Sequence, residues 1–293
     1  MPVALHLFLP QMRMTHEAIL ERARTAEAAG FEGIAFMDHL APPLAADQDM
    51  WEAMTVATWV LAGTTTLTAS HLVLCDSFRH PAVLARQVTT LDHASGGRFE
   101  LGIGWGSVPT ELEVFGVGST EAAARVGRLE ETLQVLRGLW SGEVVDHDGE
   151  HLRLVGAQQR PVPTRPIPIT IGGVGRRTLA LVREHADWWN VPMHELHRLE
   201  ELRDQVGSAR VSAQTMVALV PDEGSRAEVT ELAERRFGRT GMGQNLVIGD
   251  VHELADHVAS LAAVGVERCY VWFADFAPVA TLERFADVIG AAR

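Results

Sequence analysis

The chain has little of what marks several large protein classes. Only Cys75 and Cys269 occur in 293 residues. A pair so far apart does not build the disulfide framework of a small secreted domain, so both are expected as free thiols. Basic residues are scarce, 25 Lys plus Arg against 38 Asp plus Glu, for a formal charge of -13. That leaves no footprint for a nucleic-acid backbone or an anionic membrane, both of which attract clustered cations. Gly, His or charged residues interrupt every apolar run before membrane-spanning length, and Met1 to Pro10 is short and has no basic leader. A cytoplasmic protein with a small-molecule partner is expected. There is no repeat period and no Gly-x-Ser-x-Gly elbow for a serine hydrolase. No His-x-His closes the first strand, as a metal-dependent barrel hydrolase would require, so no metal site is expected. His6 and His71 fall within strands, where core or solvated roles suit them, and His147 and His151 fall in an insertion.

What the chain does have is apolar content, 47% of residues, arranged as short β-rich runs alternating with amphipathic helical stretches. That alternation predicts parallel strands joined by crossover helices. Eight strands read as Val3 to Leu9, Gly33 to Met37, Leu67 to Leu74, Phe99 to Gly104, Ile167 to Gly172, Asp187 to Val191, Arg210 to Val220 and Arg268 to Phe273. Helices start near His16, Met50, Ala82, Ala123, Arg176, His194, Ser225 and Asp250, and a last one runs from Pro278 to Ala291. Two helices, near Ser225 and Asp250, lie between the last two strands, so one is extra. The expected fold is α/β, a single (β/α)8 TIM barrel over residues 1–293 with short insertions at the strand C-terminal face. An open doubly wound sheet shares the alternation, but it would open with a Gly-rich turn where this chain has Pro10-Gln11-Met12. Two insertions are expected: residues 141–168, with a hairpin turning at Asp148-Gly149, and a polar, Gly-rich mobile loop from Phe237 to Gly249.

In such a barrel the chemistry sits on loops after the carboxyl ends of the strands. Asp38 and His39 follow the second strand; either His39 exchanges a proton at the mouth with Asp38 beside it, or Asp38 caps backbone amides and His39 is solvated. After the third strand, Cys75-Asp76-Ser77 serves as a binding loop or as the cap of a helix opened by Pro81. Gly102, Gly104 and Gly106 let the backbone approach a flat ligand with Trp105 as a wall, or else form a tight turn. Gly172-Gly173-Val174-Gly175-Arg176-Arg177 runs from a strand into a helix, where free amides bind anions and an arginine adds charge. The alternative there is an ordinary glycine turn with solvated arginines.

Several ordered stretches together resemble the luciferase-like monooxygenase superfamily, bacterial-luciferase-like enzymes that use flavin or the deazaflavin coenzyme F420. They are Gly30-Phe31-Glu32-Gly33-Ile34 leading to Asp38-His39, Arg79-His80-Pro81 through Ala85, Leu91-Asp92-His93 through Gly104, Gly172 to Thr178, and His185-Ala186-Asp187-Trp188-Trp189-Asn190. Ser95-Gly96-Gly97-Arg98 before the Gly-x-Gly strand is the most specific piece. The resemblance implies an oxidoreductase transferring hydride between coenzyme F420 and a small organic substrate, with FMN and reduced-flavin monooxygenation as the alternative. A non-catalytic flavin-binding or partner subunit is a third reading. It implies catalytic roles for His39 and Asp38, with Asp38 orienting the imidazole, and cofactor contacts from Cys75, Asp76, Gly104, Trp105, Gly172, Gly173, Val174, Gly175 and Arg176. It also implies a non-prolyl cis peptide near Cys75-Asp76 and, by analogy, a homodimer. Some deazaflavin enzymes carry a Glu directly after the strand-four glycines; here the nearest carboxylates are Glu111 and Glu113, and either Glu113 reaches back or both are solvated carboxylates at a helix start, the commoner case. Substrate choice is expected in the loops Ala41–Asp49, Gly106–Val117 and Phe237–Gly249.

Overall fold

The computed structural model describes residues 2–43, 45, 47–238 and 245–293. Along the chain run β1 (Ala4–Phe8), α1 (His16–Ala29), β2 (Gly33–Phe36), α2 (Ala53–Gly63), β3 (Thr68–His71), β4 (Leu74–Cys75), α3 (Pro81–Ser95), β5 (Leu101–Gly104), α4 (Pro109–Phe115) and α5 (Ala122–Ser141). There follow β6 (Val145–Asp148), β7 (Arg153–Ala157), β8 (Ile169–Gly172), α6 (Arg176–His185), β9 (Trp188–Val191), α7 (Leu199–Leu202) and β10 (Arg210–Leu219). The chain closes with α8 (Arg226–Phe237), β11 (Leu246–Gly249), α9 (Val251–Ala263), β12 (Arg268–Phe273) and α10 (Val279–Ala291).

The main sheet is parallel, ordered β3-β2-β1-β12-β10-β9-β8-β5-β4. Its ends meet, because β4 pairs with β5 while Ala69 of β3 bridges to Phe99 just before β5. The third barrel strand is thus in two pieces, and the fold is the expected α/β TIM barrel. Period-two alternation sorts each strand. Leu5, Leu7, Ile34, Phe36, Ile103, Ile171, Val271 and Phe273 join the large apolar core, while Phe8, Ala35 and Tyr270 form a separate cluster within the barrel. Burying each Leu or Phe contributes about 1.5–3 kcal/mol. Helix ends follow their caps: Thr15 Oγ1 accepts from Ala18 N at 3.3 Å, and Gly30 ends α1 at φ 95°. Asp250 and Glu253 form a reciprocal capping box on α9.

The 141–168 insertion contains the expected hairpin, β6 and β7 paired antiparallel. Carboxylate oxygens of Glu131 on α5 accept from the amides of Glu150, His151 and Leu152 and dock the hairpin. Three expectations change. Residues 239–244 of the 237–249 loop lie outside the described residues, but Leu246–Gly249 is β11, not loop: an apolar run that adds in parallel to Met216–Leu219. The segment expected as a helix from His194 is instead a 3-10 turn at Met193–Arg198, the single turn α7 and a second 3-10 turn at Arg203–Gln205. Met193, Leu196, Leu199 and Leu202 recur every third residue, the period of a 3-10 helix, and all pack inward. The non-prolyl cis peptide is at Leu72-Val73, in the gap between β3 and β4, rather than at Cys75-Asp76.

Candidate active site

Loops from the C-terminal ends of β2, β4, β5, β8 and β9 enclose a cavity of about 530 Å³, within the usual range for a small-molecule site. His39 and Glu111 share its wall. Oε2 of Glu111 lies 2.9 Å from Nδ1 of His39, and its Oε1 accepts from Leu40 N at 2.6 Å and Ala41 N at 3.0 Å. A carboxylate only accepts, so Nδ1 carries the hydrogen and Nε2 is the free ring nitrogen. The carboxylate that reaches back is therefore Glu111, from the first turn of α4, while Glu113 is exposed on the same helix. Residues 44 and 46 of the Ala41–Asp49 loop lie outside the described residues.

Asp38 does not orient His39, which corrects the expectation. It is buried at 6% exposure and accepts from Cys75 N at 2.8 Å and from both Arg79 terminal nitrogens at 2.5 and 2.9 Å. Arg79 also reaches Glu52, the N-cap of α2. Burial opposes the Arg79 charge, yet bonds from Asp38 and Glu52 outweigh it and hold the guanidinium pKa above its usual value. This network ties β2 to the strand break at β4. Cys75 lines the cavity as a buried thiol, pushed up to about 11 by burial and by the surrounding carboxylates; it is a wall, not a nucleophile.

Asp76 is also misplaced by the sequence reading. Its carboxylate turns away from the cavity and pairs with Arg128 of α5, whose side chain also donates to the Asp76 and Arg79 carbonyls. Burial raises its pKa against the pull of Arg128. Ser77 faces Gly118 rather than the mouth. The β5 glycines answer to a protein neighbour: a Cβ on Gly102 would lie 1.8 Å from the His71 carbonyl oxygen, and one on Gly104 would lie 2.8 Å from Val73. They make room for the broken third strand, and Gly104 keeps one side on the cavity. Trp105 is a wall as expected, fixed by Arg125 4.7 Å above its ring and by a 3.2 Å bond from Nε1 to Thr178 Oγ1.

That bond joins the β5 loop to the first turn of α6, just past the turn after β8. Gly172, Gly173, Val174 and Gly175 all line the cavity. Gly173 stands at φ 119°, a conformation only glycine takes without strain, and its carbonyl accepts from Trp189 Nε1 at 2.9 Å. Gly175 is the N-cap of α6 and offers no side chain, so the first-turn amides keep their hydrogens for an outside acceptor. Arg176 is exposed and outside the cavity wall. The cavity lining also holds two amides to which the sequence assigned no role, Asn190 and Gln214. Ser212 donates to Asn190 Oδ1 at 3.2 Å. Inward alternation on β9 and β10 is the signal that points to both.

The family model described as luciferase-like monooxygenase matches residues 4–218. The chain belongs to that family. An uncharacterized protein of Mycobacterium tuberculosis is 32% identical over 211 residues, 63% of this chain and 71% of the relative. An F420-dependent glucose-6-phosphate dehydrogenase of Mycobacterium avium is 35% identical over 159 residues, 54% of this chain and 47% of that enzyme, so the match spans about half the enzyme's length. Among solved structures, an F420-dependent secondary alcohol dehydrogenase superposes with a TM-score of 0.85 over 100% of both chains at 18% identity. The monooxygenase RslO1 from Streptomyces bottropensis gives 0.80 over 97% of this chain and 98% of its own, also at 18% identity. These two share the fold while their names point to different reactions. Among the described residues no helix is long and apolar enough to cross a membrane.

Proposed function

We propose that this luciferase-like oxidoreductase uses coenzyme F420 to exchange hydride with a small organic substrate, with His39 as the proton relay. The observation that carries this reading is the His39–Glu111 pair at 2.9 Å on the wall of the same cavity as the Gly172–Gly175 turn. The residues fit such a cofactor. Cys75, Gly104, Trp105 and Val174 give largely apolar walls for a flat ring, and the uncapped start of α6 offers amides to a phosphate. Bound there, a deazaflavin supplies two-electron hydride transfer. The chain's own part is to hold His39 with Nε2 open, so that it takes the proton from a substrate hydroxyl or returns it to a carbonyl. Glu111 fixes the tautomer and supports the imidazolium that forms. The Asp38–Arg79 pair holds the strand break beneath the cavity.

Names among the sequence relatives favour F420. The test is equilibrium titration with F420 and with FMN, followed by turnover with and without oxygen. The expected result is tight F420 binding and oxygen-independent turnover. Tight FMN binding with no F420 binding would favour the reduced-flavin monooxygenase. Absence of turnover by the wild type with every cofactor tried would favour a partner subunit.

A further inference from the structure

Every non-glycine residue with positive φ among the described residues lies at one place on the barrel rim: Arg13 at 59°, Phe276 at 65° and Ala277 at 52°. Arg13 follows β1, Phe276 and Ala277 follow β12, and Arg236 reaches them from the end of α8. The Phe276 ring receives both guanidiniums, Arg236 at 5.3 Å and Arg13 at 6.0 Å from its centroid. A bulky side chain in the left-handed region is costly and persists only where surrounding bonds enforce it. Here they do. Asp275 accepts from Ala277 N at 3.0 Å and Thr281 Oγ1 at 2.7 Å, and Arg22 donates to the Phe276 carbonyl at 3.2 Å.

The turn therefore occupies both oxygens of Asp275, the one carboxylate acting on Arg236. Burial, then Arg235 and Arg13, lowers the Arg236 pKa against that single attraction. Arg236 donates to the Ala274 carbonyl at 2.8 Å, and neither Arg13 nor Arg236 is in an ion pair among the described residues. Residues 239–244, Arg-Thr-Gly-Met-Gly-Gln, contain no acid that could neutralise them. All 25 basic residues of this chain are arginine. Two of them thus converge on one strained turn of a protein with formal charge -13. The β1, β10 and β12 side of the mouth, where they sit, is opposite in the sheet order to β5 and β8.

We infer that Arg13 and Arg236, which stand on the rim outside the lining of the cavity of about 530 Å³, form a second anion site, taking a carboxylate or phosphate group of a molecule that extends from His39 across the mouth. The site is separate from the α6 amides, and its link to a substrate rests on the cavity being the reaction site. A planar fork with fixed donors suits such groups, and the Phe276 ring keeps both forks in place before the ligand arrives. Selection would then fall on substrates with an anionic tail at one end and an alcohol or carbonyl at the other.

The probe is inorganic phosphate, with acetate in parallel, titrated against F420-loaded protein by tryptophan fluorescence in wild type, Arg13→Gln and Arg236→Gln. Arg13 is exposed, so Arg13→Gln keeps the fold, and thermal melting checks both variants. The expected result is binding of one anion to the wild type, weakened about tenfold or more in each variant, as loss of a charge-assisted hydrogen bond predicts. F420 affinity is expected to stay the same. Equal anion binding in all three proteins overturns the inference, including binding confined to the α6 amides. A parallel fall in F420 affinity also overturns it, because the arginines would then hold the cofactor. Should the wild type bind no F420 while both variants lose phosphate binding without it, the anion site stands and the oxidoreductase reading fails.

Discussion

The two ends of the barrel each hold a carboxylate paired with a nitrogen base, and their surroundings give them opposite uses. At the closed end Glu100 binds Arg268 at 2.6 and 3.2 Å, with both side chains under 10% exposed. Arg268 lies 3.9 Å from the centroid of Trp188, and Arg210 lies 4.1 Å from the same ring. Tyr270 adds its hydroxyl at 3.3 Å. Every partner is fixed, and an arginine keeps its proton. At the mouth Glu111 holds an imidazole instead, one nitrogen bound and the other on a cavity wall. An imidazole can exchange protons where a guanidinium only holds charge. The residue chosen and the access given to it, more than the presence of a charge pair, separate chemistry from scaffolding.

Substitutions can break this contrast. The largest expected effect is on turnover: His39→Asn should lower kcat by about 10²–10⁴ with cofactor affinity and melting temperature retained. At the closed end, Glu100→Gln leaves a buried guanidinium unpaired and should cost about 3–5 kcal/mol in denaturant unfolding, with activity per folded molecule unchanged. A comparable loss of turnover in folded Glu100→Gln protein would erase the distinction. Gly173→Ala, forced to φ 119°, should weaken cofactor binding while Arg176→Ala, outside the cavity wall, changes it little; isothermal titration of the pair decides whether amides or the side chain hold the phosphate. Gly102→Ala should fail to fold, since its Cβ has 1.8 Å to the His71 carbonyl oxygen, whereas Gly290→Ala meets nothing within 4 Å and should be neutral or slightly stabilising.

The smallest effect is on pH dependence. Although burial opposes it, hydrogen bonds from Thr65, Thr66 and Leu67 lower Glu27 from 4.5 to about 2. Its contribution to stability is complete above the unfolded value and should be lost as pH falls through the 4.5 to 2 window. His71 acts at higher pH: burial lowers it from 6.5 to about 4. The unfolded chain therefore takes up a proton first, and stability should begin to fall below about pH 6.5. Melting curves of wild type and Glu27→Gln from pH 7 to 3 would separate the two contributions.

The barrel was legible because its signal is periodic and local: each strand is a short apolar run, and helices such as α1, α2, α3 and α9 open on a side-chain cap. The gap at Leu72-Val73 was not, since no Gly or Pro marks a break between Leu67 and Leu74. The site was legible in part. Alternation and the Gly172 turn point to the mouth, yet Asp38 and Asp76 are spent on Arg79 and Arg128, partners 41 and 52 residues away, which no spacing rule couples to them. Glu111 was within view, but its reach back to His39 depends on the angle at which α4 leaves the barrel. Arg98, in the stretch that most strongly suggested the family, turned out to be a staple: its guanidinium donates to the carbonyls of Leu61, Leu67 and Ser95 at 2.8, 3.0 and 3.0 Å. The strongest family signal thus marks architecture at the closed end, and the chemistry lies at the other.

The most direct test of the central claim is a paired measurement on His39→Asn, F420 affinity by titration and single-turnover hydride transfer by absorbance. The account predicts wild-type affinity with a rate lower by about two to four orders of magnitude. Wild-type rates in the variant, or loss of F420 binding with the rate per bound cofactor unchanged, would contradict it.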